Sequence, residues 1–240
     1  SMITVGPNGD LYGGYSCDPQ GRYRYYSIRS TGVMKWSYGV SGVIGCSTGL
    51  ASPALSPDGS TTYITTGVFT ALNAETGEEK WQTTLSSFSP ASVSRDGTVY
   101  LNARISSGDL YAFTPDGAQK WRLEGMGYVN NFAQSPSIGN DGTVFTSRGA
   151  INPDGTIKWD INFFAETPIA IGNDGTFYYS TFGGWRGFDP ISQNIIFNFV
   201  PPANPNAAGL DYAFANPVIG PNGRIYFSTA TATYAFGSSP

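Results

Sequence analysis

The sequence contains no histidine among its 240 residues. Without an imidazole there is no Ser-His-Asp or Cys-His nucleophile pair and no His-ligated zinc, copper or haem. Charge is also scarce: 12% of residues are Asp, Glu, Lys or Arg, about half the share in an average soluble domain. The net charge of −4 offers no basic field to nucleic acid or an anionic membrane surface. No apolar run approaches the roughly 18 residues a membrane span needs. Only four lysines and five glutamates stand beside 31 Gly and 16 Pro, a composition that disfavours helix. None of the Asn residues heads an Asn-x-Ser/Thr sequon, which excludes N-glycosylation and fits a bacterial origin. An acidic, loop-rich, all-β domain spanning 1–240 is what these absences leave. Ser1-Met2 reads as a remnant of tag removal and is set aside, with the natural chain expected to extend further.

What is present is a repeat. An Asn-Gly or Asp-Gly pair occurs six times in one context: Asn8-Gly9, Asp58-Gly59, Asp96-Gly97, Asp141-Gly142, Asp174-Gly175 and Asn222-Gly223. An apolar segment precedes each pair and a β-rich one follows, as in SPASVSRDGTVYLNA and TPIAIGNDGTFYYS. Such pairs supply the positive φ angles of a tight hairpin turn, so each unit opens with strands A and B. A second hairpin, strands C and D, turns at Thr-Gly or Pro-Asp-Gly and ends on an aromatic residue. That residue is Trp36, Trp81, Trp121 or Trp159 in units one to four and Phe197 in unit five. Four strands in about 43 residues match a β-propeller blade. The blades run at about 3–40, 51–86, 89–124, 134–163, 167–200 and 216–237.

All four lysines, Lys35, Lys80, Lys120 and Lys158, stand directly before a Trp of this set. Strand alternation sends the Trp between blades and the Lys the other way, where it would blunt an outer edge. The docking set is therefore Trp36, Trp81, Trp121, Trp159 and Phe197.

The pattern A-x-[DN]-x-x-T-G-x-x-x-W resembles the tryptophan-docking motif of the pyrroloquinoline-quinone (PQQ) repeat family. Ala71, Asn73, Thr76, Gly77 and Trp81 match it, and units three and four match a shortened form. The resemblance runs from about Ile3 to Gly237 and implies a ring of six four-stranded antiparallel blades. The last is incomplete, because too few residues follow Gly223 for a strand D. A three-stranded last blade, a strand lost in trimming and a partial ring from a larger propeller all remain open.

Dehydrogenases of that family hold PQQ and Ca²⁺ in a central funnel and carry a vicinal Cys-Cys pair. This sequence has no such pair, too few blades and no evident ligand set, so neither a cofactor nor a metal is expected. Its two cysteines, Cys17 and Cys46, both lie in unit one and either bridge or stay as thiols. The acids are mostly turn residues: Asp58, Asp96, Asp141 and Asp174 in A–B turns, and Asp116, Asp154, Asp189, Glu75, Glu78 and Glu79 in C–D turns. Asp10 follows the first turn. Asp18, Asp109, Glu124, Asp160, Glu166 and Asp211 remain for any paired-carboxylate chemistry. GNDGT lacks the alternating ligands of a calcium loop.

Irregular loops on a rigid scaffold are where function concentrates. The B–C and D–A connections form one face of a propeller, and here they vary most. They carry Tyr128, Asn131, Phe132, Trp185, Arg186, Asp211 and Tyr212 as ligand-binding candidates. Asn130, Phe163, Phe164 and Phe214 lie beside them, and Arg104 and Arg148 add positive charge. The same side chains would equally serve to plug the funnel. The expectation is a non-catalytic, monomeric binding or scaffold module within a larger extracellular or periplasmic protein. Its partner is a protein or carbohydrate of unknown identity. Two alternatives stand beside it: a lectin-like propeller using the aromatic top loops, and a hydrolase or lyase using top-face carboxylates.

Overall fold

The structure is a computed structural model. It describes residues 3–15, 23–40, 51–65, 68–85, 89–103, 108–127, 134–160, 165–181, 183–202, 216–229 and 231–237. The chain divides into two compact units, one of residues 1–138 with 153–156 and one of residues 139–152 with 157–240.

Every element among the described residues is a β-strand. Sheet one is β1 (Thr4–Val5), β2 (Leu11–Tyr15), β3 (Tyr23–Ile28) and β4 (Met34–Val40). Sheet two is β5 (Ala54–Leu55), β6 (Thr61–Thr65), β7 (Phe69–Asn73) and β8 (Glu79–Thr83). Sheet three is β9 (Ser92–Val93), β10 (Val99–Ala103), β11 (Asp109–Phe113) and β12 (Gln119–Leu123). Sheet four is β13 (Ser137–Ile138), β14 (Val144–Thr146), β15 (Gly149–Ile151) and β16 (Ile157–Asp160). Sheet five is β17 (Ala170–Ile171), β18 (Phe177–Thr181), β19 (Gly184–Asp189) and β20 (Asn194–Phe199). Sheet six has three strands, β21 (Val218–Ile219), β22 (Ile225–Ser228) and β23 (Thr233–Phe236). Sequence order is spatial order in each sheet.

All six A–B turns share one geometry. The Gly N–H donates three residues back, as Gly97 does to Ser94 O at 2.9 Å and Gly142 to Gly139 O at 3.0 Å. In each turn the Gly has positive φ and the Asn or Asp before it does not. The turns are therefore type I with a glycine bulge, and the expectation that both residues supply positive φ is corrected. Asp or Asn is needed for its side chain, which accepts the N–H two residues on. Thr98 N to Asp96 Oδ1 spans 2.9 Å and Asp10 N to Asn8 Oδ1 spans 3.1 Å. This is an Asx turn added to a bulge turn.

The C–D register also repeats. Trp36, Trp81, Trp121, Trp159 and Phe197 pair with Ser27, Ala71, Ala112, Ala150 and Gly187 on strand C. A bulge follows each of these small residues on strand C. A small residue leaves room for the ring, which leans off the sheet. The central strands of sheets two and three are buried along their length, while strand D is the most exposed.

The lysines do not blunt an outer edge; that expectation is corrected. Each folds back across its sheet to the start of strand B. Lys80 Nζ donates to Thr61 Oγ1 at 2.6 Å, Lys120 to Thr98 Oγ1 at 3.0 Å and Lys158 to Thr143 Oγ1 at 3.1 Å. In sheet one the acceptor is Asp10 Oδ2, at 2.7 Å. A long apolar stem lets the ammonium reach that far while covering the sheet.

Candidate functional site

The docking tryptophans define the seams between sheets of the first unit. Trp36 Nε1 donates to Ala74 O at 3.0 Å, Trp81 Nε1 to Pro115 O at 2.9 Å and Trp121 Nε1 to Pro153 O at 3.0 Å. Each acceptor belongs to the C–D turn that follows the next strand C. The indole lies flat against that turn's glycine. A Cβ on Gly77 would sit 2.7 Å from Trp36, on Gly117 2.7 Å from Trp81 and on Gly155 2.8 Å from Trp121. Glycine is required there twice over, for its positive φ and for the ring above it. In the second unit, Trp159 packs among Phe145, Phe177 and Phe188. Phe197, which has no N–H, packs on Phe227 and Phe236.

At the first seam the Lys35 side chain is 1% exposed and contacts two carboxylates, Asp10 Oδ2 at 2.7 Å and Glu75 Oε2 at 2.5 Å. Arg29 holds Glu75 from its other side at 2.9 Å. Lys35 holds the Asp10 carboxyl below the usual carboxylate range, and Lys35 with Arg29 does the same for Glu75. Burial pulls the Lys35 ammonium down, but its hydrogen bonds to both acids outweigh that and raise it.

At the second seam the corresponding ends stay apart, and a cleft of about 310 Å³ opens on the side of the A–B turns. Tyr63, Lys80, Asp58, Arg95, Asp96 and Pro115 line it. Asp58 Oδ1 accepts from Ser56 Oγ at 2.5 Å and Ser60 N at 3.0 Å, which lowers its pKa to about 2. Asp96 is likewise held down, first by Ser94 Oγ. Among the described residues Arg95 has no hydrogen-bond or ion-pair partner. Lys80 bonds Thr61 alone.

Tyr63 is 1% exposed and its hydroxyl has no partner. Burial, then the Asp58 charge, pushes its pKa up to about 12. Its equivalent in sheet one is satisfied: Tyr12 Oη donates to Ala74 O at 3.4 Å.

The loop candidates fare differently. Tyr128, Asn131, Phe132, Asp211 and Tyr212 lie outside the described residues, as do Asn130, Phe163, Phe164, Phe214, Arg104, Asp18, Cys17 and Cys46. Trp185 is corrected: it is a strand residue of β19, 0% exposed, stacked 6.0 Å from Phe199 and tilted against Phe227 at 5.1 Å. Its ring is core, not a platform open to a ligand. Arg186 is also in β19, opposite Tyr179 and Asn198. Arg148 sits in the tight turn between β14 and β15. Of the acids outside turns, Asp109 is buried against Arg122 at 2.7 Å, and Glu124 lies 3.3 Å from the same guanidinium.

Residues 26–152, more than half the chain, match the PQQ_2 family, described as outer membrane protein assembly factor BamB. The chain belongs to that family. Among solved structures it resembles BamB from Moraxella catarrhalis, with a TM-score of 0.62 and 20% identity, over 98% of this chain and 66% of that one. A protein of unknown function from Bacteroides caccae gives a TM-score of 0.54 at 12% identity, over 85% and 78%. Both likenesses show the fold, of β-propeller type and built from antiparallel sheets. A curated relative, the uncharacterized protein YxaL of Bacillus subtilis (strain 168), is 39% identical over 69 residues, 27% of this chain and 16% of that protein. The chain thus spans less than two thirds of BamB and a sixth of YxaL.

PQQ with Ca²⁺ requires a gathered set of oxygen donors. Among the described residues no three His, Cys, Asp or Glu side chains come together to hold a metal ion. The described residues therefore do not fit that pair.

Proposed function

We propose that this PQQ_2-family chain is a non-catalytic binding module that holds a protein partner, within a larger secreted or periplasmic protein. We further propose that its six sheets form one propeller ring whose sixth blade lacks a fourth strand of its own. The observation that carries the reading is how the repeat spends its polar side chains. The turn carboxylates Asp58, Asp96, Asp141, Asp154 and Asp189 are each held by hydroxyls and backbone N–H groups two or three residues away. Acids engaged in this way brace a scaffold, and they are poor general acids or bases because their pKa values are held low. Membership of a family described as an outer membrane assembly factor supports a protein-holding role in the cell envelope.

The test has two arms. Titration with PQQ and Ca²⁺, followed by quinone absorbance and dye reduction, is expected to show neither a saturable complex nor turnover. A micromolar complex that reduces dye overturns the reading. Photo-crosslinking from exposed positions on the chain in bacterial envelopes is expected to trap a discrete partner. Labelling that is diffuse, or that persists when the chain is unfolded, counts against it.

A further inference from the structure

We infer that the cleft between sheets two and three binds a sugar acid, a polyhydroxylated carboxylate of monosaccharide size. The inference deepens the binding-module reading and rests on it. Three hydrogen-bond donors meet this cleft without enough acceptors. The Tyr63 hydroxyl is buried and unpartnered, although the same hydroxyl in repeat one donates to Ala74 O. The Arg95 guanidinium has no partner among the described residues. The Lys80 ammonium carries three N–H groups and uses one, on Thr61. Leaving the buried Tyr63 hydroxyl without an acceptor costs free energy, while Arg95 and Lys80 stand exposed at the mouth. A carboxylate, with about four lone-pair sites, accepts from all three.

Asp58 and Asp96 on the same walls set the rest of the specificity. Two cations and two carboxylates leave the lining neutral, so a single negative charge is tolerated and no excess of positive charge favours a dianion such as phosphate. The carboxylates also accept hydroxyl groups, which a plain fatty or dicarboxylic acid does not offer. The volume, about 310 Å³, is at the low end for small-molecule sites of roughly 300–1,000 Å³, enough for one ring. Position 95 also departs from the other repeats. The equivalent turn residue is Pro7, Pro57, Asn140, Asn173 or Pro221, so a cation occurs at this seam alone.

The experiment is isothermal titration of the full chain with glucuronate, galacturonate, glucose, glutarate and a short acidic peptide. Glucuronate or galacturonate is expected to bind saturably and at least about tenfold more tightly than glucose or glutarate, the scale of a charge-assisted hydrogen bond. Tyr63→Phe and Arg95→Ala should each weaken that binding by about tenfold. Because the Tyr63 hydroxyl is unpartnered in the free protein, Tyr63→Phe should leave the melting temperature unchanged or raise it. The proposal falls if no sugar acid saturates, if glucose or glutarate binds as well, if the acidic peptide binds better, or if neither variant changes affinity. It also falls if Tyr63→Phe lowers the melting temperature, which would show the hydroxyl already satisfied. A oligouronate that binds more tightly than the monomer, with the same variant losses, assigns the carboxylate to a polymer. Loss of sugar-acid binding with a crosslinked partner retained would sink the cleft and leave the binding-module reading standing.

Discussion

The first and second seams of the molecule use the same docking device and end differently. At both, an indole N–H reaches the carbonyl of the next C–D turn, Ala74 for Trp36 and Pro115 for Trp81. At the first seam the turn continues into Glu75, which meets Lys35 and Arg29, and the ammonium is sealed in. At the second, the turn continues into Asp116, one methylene shorter, and Lys80 has no carboxylate partner among the described residues. The first seam closes as an ion chain and the second opens as a cleft. A docking tryptophan thus fixes the spacing of two sheets, and the residue after its acceptor decides whether the gap beneath is filled.

Substitutions can break or sharpen this contrast. The largest effect is expected at the rings. Trp36→Ala should cost about 4 kcal/mol, because the ring is buried. Trp81→Ala should cost about half that, its ring being only partly buried. Urea unfolding of both variants measures the pair, and equal losses would erase the distinction between the seams. Next comes the lysine. Lys35→Met strands the buried Asp10 carboxylate and should cost about 3 kcal/mol, whereas Lys80→Met should cost under about 0.5 kcal/mol.

The same network sets a pH dependence. Asp10 and Glu75 titrate below their ordinary values. Their contribution is present above the unfolded carboxylate pKa of about 4 and is lost as pH falls through the lower folded values. Lys35 is raised, so its contribution is present below about pH 10.4 and is lost as pH rises through its folded value. Melting temperatures between pH 2 and 12 should show both limbs in the native chain and shallower ones in Lys35→Met.

A third contrast uses glycine. Gly32 and Gly117 have matching positive φ, +86° and +93°. A Cβ on Gly32 meets nothing within 4 Å, while one on Gly117 strikes Trp81. Gly32→Ala should cost only the strain of about 1 kcal/mol, and Gly117→Ala about 1–2 kcal/mol more for the displaced ring. The smallest effect is a gain. Gln193 holds φ +55° where the other C–D turns have glycine, so Gln193→Gly should stabilise by about 0.5–1 kcal/mol.

Much of the fold was legible because turn chemistry is local. Asp-Gly four times and Asn-Gly twice mark the A–B turns whatever surrounds them, and Trp opposite a small partner marks strand D. The lysines were misread because strand alternation gives a direction but not a reach. Trp185 was misread because Gly183-Gly184 looks like a loop. Gly184 instead opens β19, where a Cβ would strike the Phe199 carbonyl oxygen, so the glycine marks a close strand pairing. The cleft could not be read in advance. Only Arg95, a cation where the sister turns hold Pro or Asn, hinted at it. Its other signal is a hydroxyl left without a partner, which exists only in three dimensions.

The shared turn also governs how the chain ages. Asn-Gly is the sequence most prone to deamidation, through attack of the glycine nitrogen on the asparagine side chain. In Asn8-Gly9 and Asn222-Gly223 that nitrogen is donated to Gly6 O and Gly220 O, at 2.9 Å in both. The asparagine oxygen is held by the N–H of Asp10 or Arg224. The folded turn therefore withholds both reactants from each other. If the turn opens and closes again on ordinary aspartate, nothing is lost, since four sister turns already use that residue. An isoaspartyl link would add a backbone atom and break the register of the turn's hydrogen bonds, so chemical damage would register first as fraying at sheets one and six.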